Sequence, residues 1–180
     1  MRDAFCILPW NHLEIKPTGA VKICCVAARE IQIHERSATV GRDPLADIWN
    51  SQYMKNVRAA MLEGQALPDC AHCYRQETLQ PKSLRYWSNR EWMLQYGVSK
   101  EGLVDLAREL GVVVQRSPAY FQLSLGNECN LKCRMCCSDY SSQIQQDPVQ
   151  NQWAPNWDPE SHKVSSSWHK NDDFFVNELF

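Results

Sequence analysis

Nine cysteines in 180 residues, gathered into two clusters, constrain this chain more than any other feature. They are Cys6, Cys24, Cys25, Cys70 and Cys73 in the first half, and Cys129, Cys133, Cys136 and Cys137 in the second. The first residues, Met1-Arg2-Asp3-Ala4, lead into an apolar patch broken by Pro9, Asn11 and His12, which is not the core of a secretory signal. Without export, thiols stay reduced, so metal binding is expected in preference to a disulfide framework. The expected compartment is the cytoplasm. No apolar run is long enough to span a bilayer. With 19 basic and 21 acidic residues and a net charge of -2, the chain has no electrostatic footprint for nucleic acid or a membrane surface.

Local patterns predict the elements that carry these cysteines. Trp10, His12, Leu13 and Ile15, a turn at Lys16-Pro17-Thr18-Gly19, and then Val21 and Ile23 read as a β-hairpin over residues 10–25. A helix is expected over 50–63, N-capped by Asn50, with Tyr53, Met54, Val57 and Met61 at helical spacing and Gly64 at its end. A second helix is expected from about Thr78 to Tyr96, with Trp87, Trp92 and Tyr96 as core. A third runs from a Ser99 cap to Leu110, where Gly111 stops it. Val112–Val114 and Tyr120–Leu125 are β-forming. Residues 139–172 read as a long polar loop that Trp153, Trp157 and Trp168 could anchor, and Phe174 begins an amphipathic helix.

Cys129, Cys133 and Cys136 form a C-x3-C-x2-C run. Thiolates are soft ligands suited to iron-sulfur clusters and zinc, and ordinary clusters take four of them. Three close thiolates therefore suggest a cluster with one iron open to an exchangeable ligand. Cys70-Ala71-His72-Cys73 is a C-x2-C hook whose partners are Cys6 and one of Cys24 and Cys25, because successive residues of a regular strand face opposite ways. His12, His34 and His72 are alternative ligands.

The C-x3-C-x2-C run resembles the cluster loop of the radical S-adenosylmethionine (SAM) superfamily, placed just after the first strand of a partial β/α barrel. The resemblance implies that Cys129, Cys133 and Cys136 hold three irons and that SAM binds the fourth. Reductive cleavage would yield methionine and a 5'-deoxyadenosyl radical. Met135 stands where that family usually has an aromatic residue near the adenine. Cys137 lies outside the motif and reads as a buried small apolar residue.

Residues 5–77 resemble the SPASM and twitch auxiliary-cluster domains, through Cys6 with Pro9-Trp10, Gly19, Cys24-Cys25, Asp47-Ile48-Trp49-Asn50-Ser51 and Cys70-x2-Cys73. That resemblance implies that Cys6, Cys24, Cys70 and Cys73 hold a second 4Fe-4S cluster and leaves Cys25 for the core. The order is unusual, because this domain normally follows the barrel.

The expected fold class is therefore α+β: a small β-hairpin-plus-helices auxiliary-cluster domain (1–77), a helical linker (78–117), and the first strand and cluster loop of an incomplete radical SAM barrel (118–180). The chain ends too soon after Cys136 for more than about one βα unit of roughly 30 residues, so a truncated enzyme is expected. The strand from Tyr120 to Leu125 would then leave an unpaired edge. Expected cofactors are two 4Fe-4S clusters and SAM. Expected partners are a peptide or protein substrate and an electron donor such as flavodoxin or ferredoxin. The alternatives are a non-catalytic zinc-binding module and a ferredoxin-like electron-transfer module.

Overall fold

The computed structural model describes residues 4–80, 82–149, 168–170 and 174–179. It is a mixed α+β structure built around one three-stranded sheet. A short helix α1 (Leu8–Asn11), with Pro9 in its first turn, leads straight into β1 (His12–Ile15). Trp10 therefore lies on a helical turn and not on the hairpin strand expected for it. Its ring is fully buried and its indole N–H donates to Gly111 O at 2.8 Å. β2 (Val21–Lys22) returns antiparallel to β1, with Ile15 opposite Val21. The connecting turn has Gly19 at φ 82°, in the left-handed region that disfavours a Cβ.

The peptide then forms a small ribbon, β3 (Gln32–Ile33) and β4 (Arg36–Ser37). Two short helices follow, α2 (Leu45–Trp49) and α3 (Gln52–Leu62). Ser51, not Asn50, caps α3, its hydroxyl accepting from Met54 N at 3.3 Å. Asn50 is used elsewhere. Its side chain pairs with both backbone groups of Val114, and Arg58 donates to Val112 O. These bonds explain why the β-branched run Val112–Val114 forms no strand.

A 3₁₀ turn (Pro68–Cys70) opens α4 (Ala71–Leu79), and α5 (Leu84–Tyr96) is a separate helix. Gln80 is extended, as a residue before proline prefers, and Ser83 caps α5. One helix starting near Thr78 is thus replaced by two. α6 (Lys100–Leu110) has its Ser99 cap and Gly111 stop as expected from sequence. Trp92 and Tyr96 are half-buried against the core, whereas Trp87 is exposed.

The last strand, β5 (Tyr120–Leu123), lies parallel to β1 with Leu13 opposite Phe121 and Ile15 opposite Leu123. The sheet order is β2-β1-β5. β5 thus pairs with β1 through one edge and leaves the other at the sheet margin, the unpaired edge expected of it. One core joins Phe5, Trp10, Leu13, Ile48, Met54 and Val57 to Leu103, Ala107 and Val114 from the 78–117 stretch. Trp168 is buried beneath the hairpin turn, its indole donating to Pro17 O at 3.1 Å. Phe174–Leu179 forms a wide π-type helix, and Phe174 packs edge-on against Trp168. Trp153 and Trp157 lie outside the described residues. Beyond β5 come the second cysteine loop, a 3₁₀ turn (Ser138–Tyr140) and α7 (Ser142–Gln145). Among the described residues no helix is long and apolar enough to cross a membrane.

Candidate metal centre

Cys6, Cys24, Cys70 and Cys73 line one pocket. They arrive from three separate segments, and each has its own means of support. Cys6 precedes α1, and the backbone on both sides of it is pinned by Asn89 of α5. Ile7 N donates to Asn89 Oδ1 at 2.9 Å, and Asn89 Nδ2 donates to Phe5 O at 3.0 Å. Arg85, held by Glu77, adds a bond to the same Phe5 carbonyl. Cys24 follows the end of β2 in a tight turn closed by Ala27 N to Cys24 O at 3.1 Å. Cys70 and Cys73 flank the first turn of α4, where residues three apart share a face.

Asp69 ties these pieces together. Its backbone carbonyl accepts from Ala28 N, and its buried carboxylate takes Arg29 Nε at 2.8 Å and Tyr53 Oη at 2.7 Å. The turn carrying Cys24, helix α3 and the turn carrying Cys70 are thereby fixed to one another. On the far side of α3, the buried Arg58 donates to Pro9 O, Trp49 O, Val112 O and Asn50 Oδ1, at 2.8–3.2 Å. Its guanidinium stacks 4.3 Å from the Trp49 ring. Sequence reasoning passed over these supports. A signal for Arg58 was present, since a cation there falls on the same helix face as Met54, Val57 and Met61.

The pocket walls are largely apolar, with Leu8, Pro9, Ile23, Val26, Ala27, Met61 and Leu84 around the thiols, and the free space is narrow, about 20 Å³. Burial is therefore the main influence on these thiols. It pushes Cys6 well above its ordinary pKa against a backbone N–H from Leu8, and the nearby Cys24, Cys70 and Cys73 push the same way. Burial raises Cys24 to about 12 and Cys70 to about 11, the latter opposed by a hydrogen bond from Tyr74. Such thiols keep their protons at neutral pH unless a metal displaces them, which makes loading weaken with acidity. The donor set, four sulfurs among apolar walls, suits an iron-sulfur cluster, and the walls must part to admit one, because about 20 Å³ holds little more than a water.

Cys25 is excluded from this pocket and is exposed, not part of the core as expected. Strand alternation does not decide between it and Cys24, because β2 ends at Lys22 and the turn geometry takes over. His12 is buried with Nδ1 2.8 Å from Ile23 O, while His34 and His72 are exposed.

The second loop is built differently. Cys129 and Cys136 are half-buried, Cys133 and Cys137 are exposed, and Met135 stands in solvent. Cys137 is therefore not the buried residue expected. A turn joins Cys136 N to Cys133 O at 3.0 Å. The loop ends are held by α7: Ser142 N donates to Asn127 O at 2.8 Å, Cys129 N reaches Ser142 Oγ at 3.4 Å, and Ser141 Oγ donates to Leu131 O at 2.7 Å. Lys132 pairs with Asp147 at 2.6 Å. Three thiols so closely spaced suit a cluster with one iron free of protein ligands.

The two cysteine regions adjoin through β1 and β5. Lys16, beside β1, pairs with Asp139 at 3.1 Å. Glu14 on β1 is buried, has one oxygen without a hydrogen-bond partner, and has its pKa raised, chiefly by burial. Across the described residues, no three His, Cys, Asp or Glu side chains are drawn together tightly enough to hold a single metal ion.

Residues 6–74 match the family model of SPASM, described as an iron-sulfur cluster-binding domain. The match takes in Cys6, Cys24, Cys70 and Cys73 and ends before the second loop. No curated protein and no solved structure matches the chain.

Proposed function

We propose that this chain is part of a radical SAM enzyme in which Cys6, Cys24, Cys70 and Cys73 hold an auxiliary 4Fe-4S cluster. In this reading Cys129, Cys133 and Cys136 hold a second one with an iron open to SAM. The observation that carries the proposal is the common apolar pocket of four cysteines, inside the stretch that matches an iron-sulfur cluster-binding domain. The match to an iron-sulfur cluster-binding domain favours a cluster over a zinc ion held by the same four thiolates.

When bound, the open cluster would supply one-electron cleavage of SAM. The chain's own residues then divide the remaining tasks. Asn89, Asp69 and Arg58 hold the auxiliary thiols in place through the bonds described above. The apolar walls exclude water from the four-cysteine pocket. Asn127, Ser141 and Ser142 set the ends of the second loop, and Met135 is free to cover an adenine. The substrate class proposed is a peptide or protein, with a low-potential electron donor as partner.

Anaerobic reconstitution with iron and sulfide tests the reading. The expected result is about eight irons per chain, as two four-iron sites require, and a spectrum of the reduced protein that changes on adding SAM. Cys133→Ala should abolish SAM cleavage while Cys70→Ala retains at least uncoupled cleavage. A colourless protein with stoichiometric zinc would overturn the proposal, and iron loading without any response to SAM would leave an electron-transfer module instead.

A further inference from the structure

Two ion pairs flank the four-cysteine pocket, and they turn opposite ends toward it. Asp69 lines the pocket, whereas its partner Arg29 does not and has its side chain 63% exposed. Arg85 lines the pocket, whereas its partner Glu77 does not. Arg85 is the only Lys or Arg among the described residues that line it. Its hydrogen bonds fix it there. Nε donates to Glu77 Oε1 at 3.1 Å, Nη2 donates to Glu77 Oε2, and Nη1 donates to the carbonyl of Phe5, beside Cys6, at 3.1 Å. The Arg85 and Glu77 side chains are only 12% and 21% exposed, so solvent screens this pair little.

Tyr74, four residues after Cys70 and so on the same side of α4, adds a donor. Its hydroxyl is hydrogen-bonded to Cys70, takes a backbone hydrogen bond from Leu67, and lies 3.4 Å from Ala4 O. The Arg85 guanidinium lies 5.5 Å from the Tyr74 ring centre, which joins the two side chains into one group at the pocket wall. A cluster held by four thiolates is an anion, and it gains a further negative charge on reduction. A cation or a hydrogen-bond donor at its sulfurs therefore favours the reduced form over the oxidised form.

We propose that Arg85 and Tyr74 raise the reduction potential of the auxiliary cluster above the value that four thiolates among apolar walls would give it. The step is a one-electron reduction. The oxidised cluster takes one electron from a low-potential one-electron donor, no bond forms or breaks, and no proton moves. Glu77 limits the effect, because it partly neutralises the guanidinium from outside the pocket. The inference rests on the auxiliary-cluster reading above and deepens it, making the site a redox centre as well as a support of the fold.

The test is an anaerobic redox titration, followed by electron paramagnetic resonance of the reduced cluster. It uses the reconstituted full chain carrying Cys133→Ala, so that the four-cysteine cluster alone is read. Arg85→Met should shift the ratio of reduced to oxidised cluster roughly tenfold toward oxidised, which is about 59 mV downward for a one-electron couple. Arg85→Lys should recover most of that shift. Glu77→Gln removes the opposing anion and should move the potential upward. Tyr74→Phe should move it downward by less, roughly threefold in the same ratio. The opposite signs at Arg85 and Glu77 separate tuning from support, because loosening the pocket would move both the same way. An unmoved potential in Arg85→Met at full iron, or shifts of one sign in Arg85→Met and Glu77→Gln, would overturn the inference. If Arg85→Met holds no iron, an upward shift in Glu77→Gln with a downward one in Tyr74→Phe supports it, and any other pattern overturns it. Iron measured on the same samples separates the two readings. Absent iron in the parent chain counts against the cluster assignment, and full iron with unmoved potentials counts against this inference alone.

Discussion

The two cysteine regions reach their geometry by opposite routes. Cys6, Cys24, Cys70 and Cys73 are brought together by the protein's core, through Asn89, Asp69 and Arg58, before any metal is considered. Cys129, Cys133 and Cys136 sit on a loop tied only at its ends, with Cys133 and Met135 exposed. The first site should be a structural asset of the fold. The second should be ordered mainly by the cluster and SAM proposed to bind it, because metal-binding free energy is folding free energy where no preformed site exists.

The strongest way to break that contrast is to remove one thiol from each. Cys73→Ala should lower iron to about four per chain and should also loosen the core, since Cys73 is buried at the start of α4 and an unsatisfied pocket is left around it. Cys133→Ala should remove the same amount of iron but leave the melting of the remaining protein unchanged. Iron analysis paired with tryptophan-fluorescence melts reads both. Equal destabilisation by the two variants would refute the contrast.

Next in size is Arg58→Met. Its guanidinium is fully buried, and burial lowers its pKa to about 10. Its loss strands the carbonyls of Pro9, Trp49 and Val112. Stranded buried acceptors cost about 1–3 kcal/mol each where no water reaches them, so a total of roughly 3–5 kcal/mol is expected from a urea titration. Iron at the four-cysteine site should fall with it. The second loop, which Arg58 does not touch, should still load iron and respond to SAM.

How much of this was legible in the sequence depends on how local each feature is. The hairpin around Gly19, helix α6 between Ser99 and Gly111, and the separation of the cysteines into two groups all follow from neighbours in sequence. The parallel pairing of β1 with β5 does not, because more than a hundred residues separate the two strands and nothing local specifies the partner. Likewise Asn50 looked like a cap but spends its amide on Val114, and Val112–Val114 looked like a strand but has its backbone claimed by Asn50 and Arg58. The choice of Cys24 for the pocket was available from its resemblance to a known spacing. The physical reason is the turn after Lys22, which strand alternation cannot reveal.

A smaller effect is expected at Glu14, which lies on the strand shared by both regions. Its folded pKa is raised, with burial as the first cause and Lys22 and Lys16 opposing. A raised carboxyl contributes stability that is fully present below its unfolded pKa and is lost as pH rises through the folded value. Stability should therefore decline from acid conditions toward that raised value. Glu14→Gln should flatten the decline and leave the protein more stable at neutral pH by on the order of 1 kcal/mol. Chemical melts at a series of pH values would show it, and an unchanged pH profile would mean that Glu14 has a partner in solution.

The smallest effect separates local ties from packing within the second loop. Lys132 and Asp147 form an ion pair at 2.6 Å, with the lysine side chain 47% exposed. Such a surface pair is worth about 0.2–1 kcal/mol and is screened by salt. Lys132→Ala should leave global melting within error, because the core lies elsewhere. If the loop takes its order from the cluster, iron loading at Cys129, Cys133 and Cys136 should also be nearly normal, with at most a modest rise in its rate of loss under a chelator. A large loss of iron from this one exposed pair would mean instead that the loop is prearranged by the protein, as the four-cysteine pocket is, and the two regions would then differ in burial but not in principle.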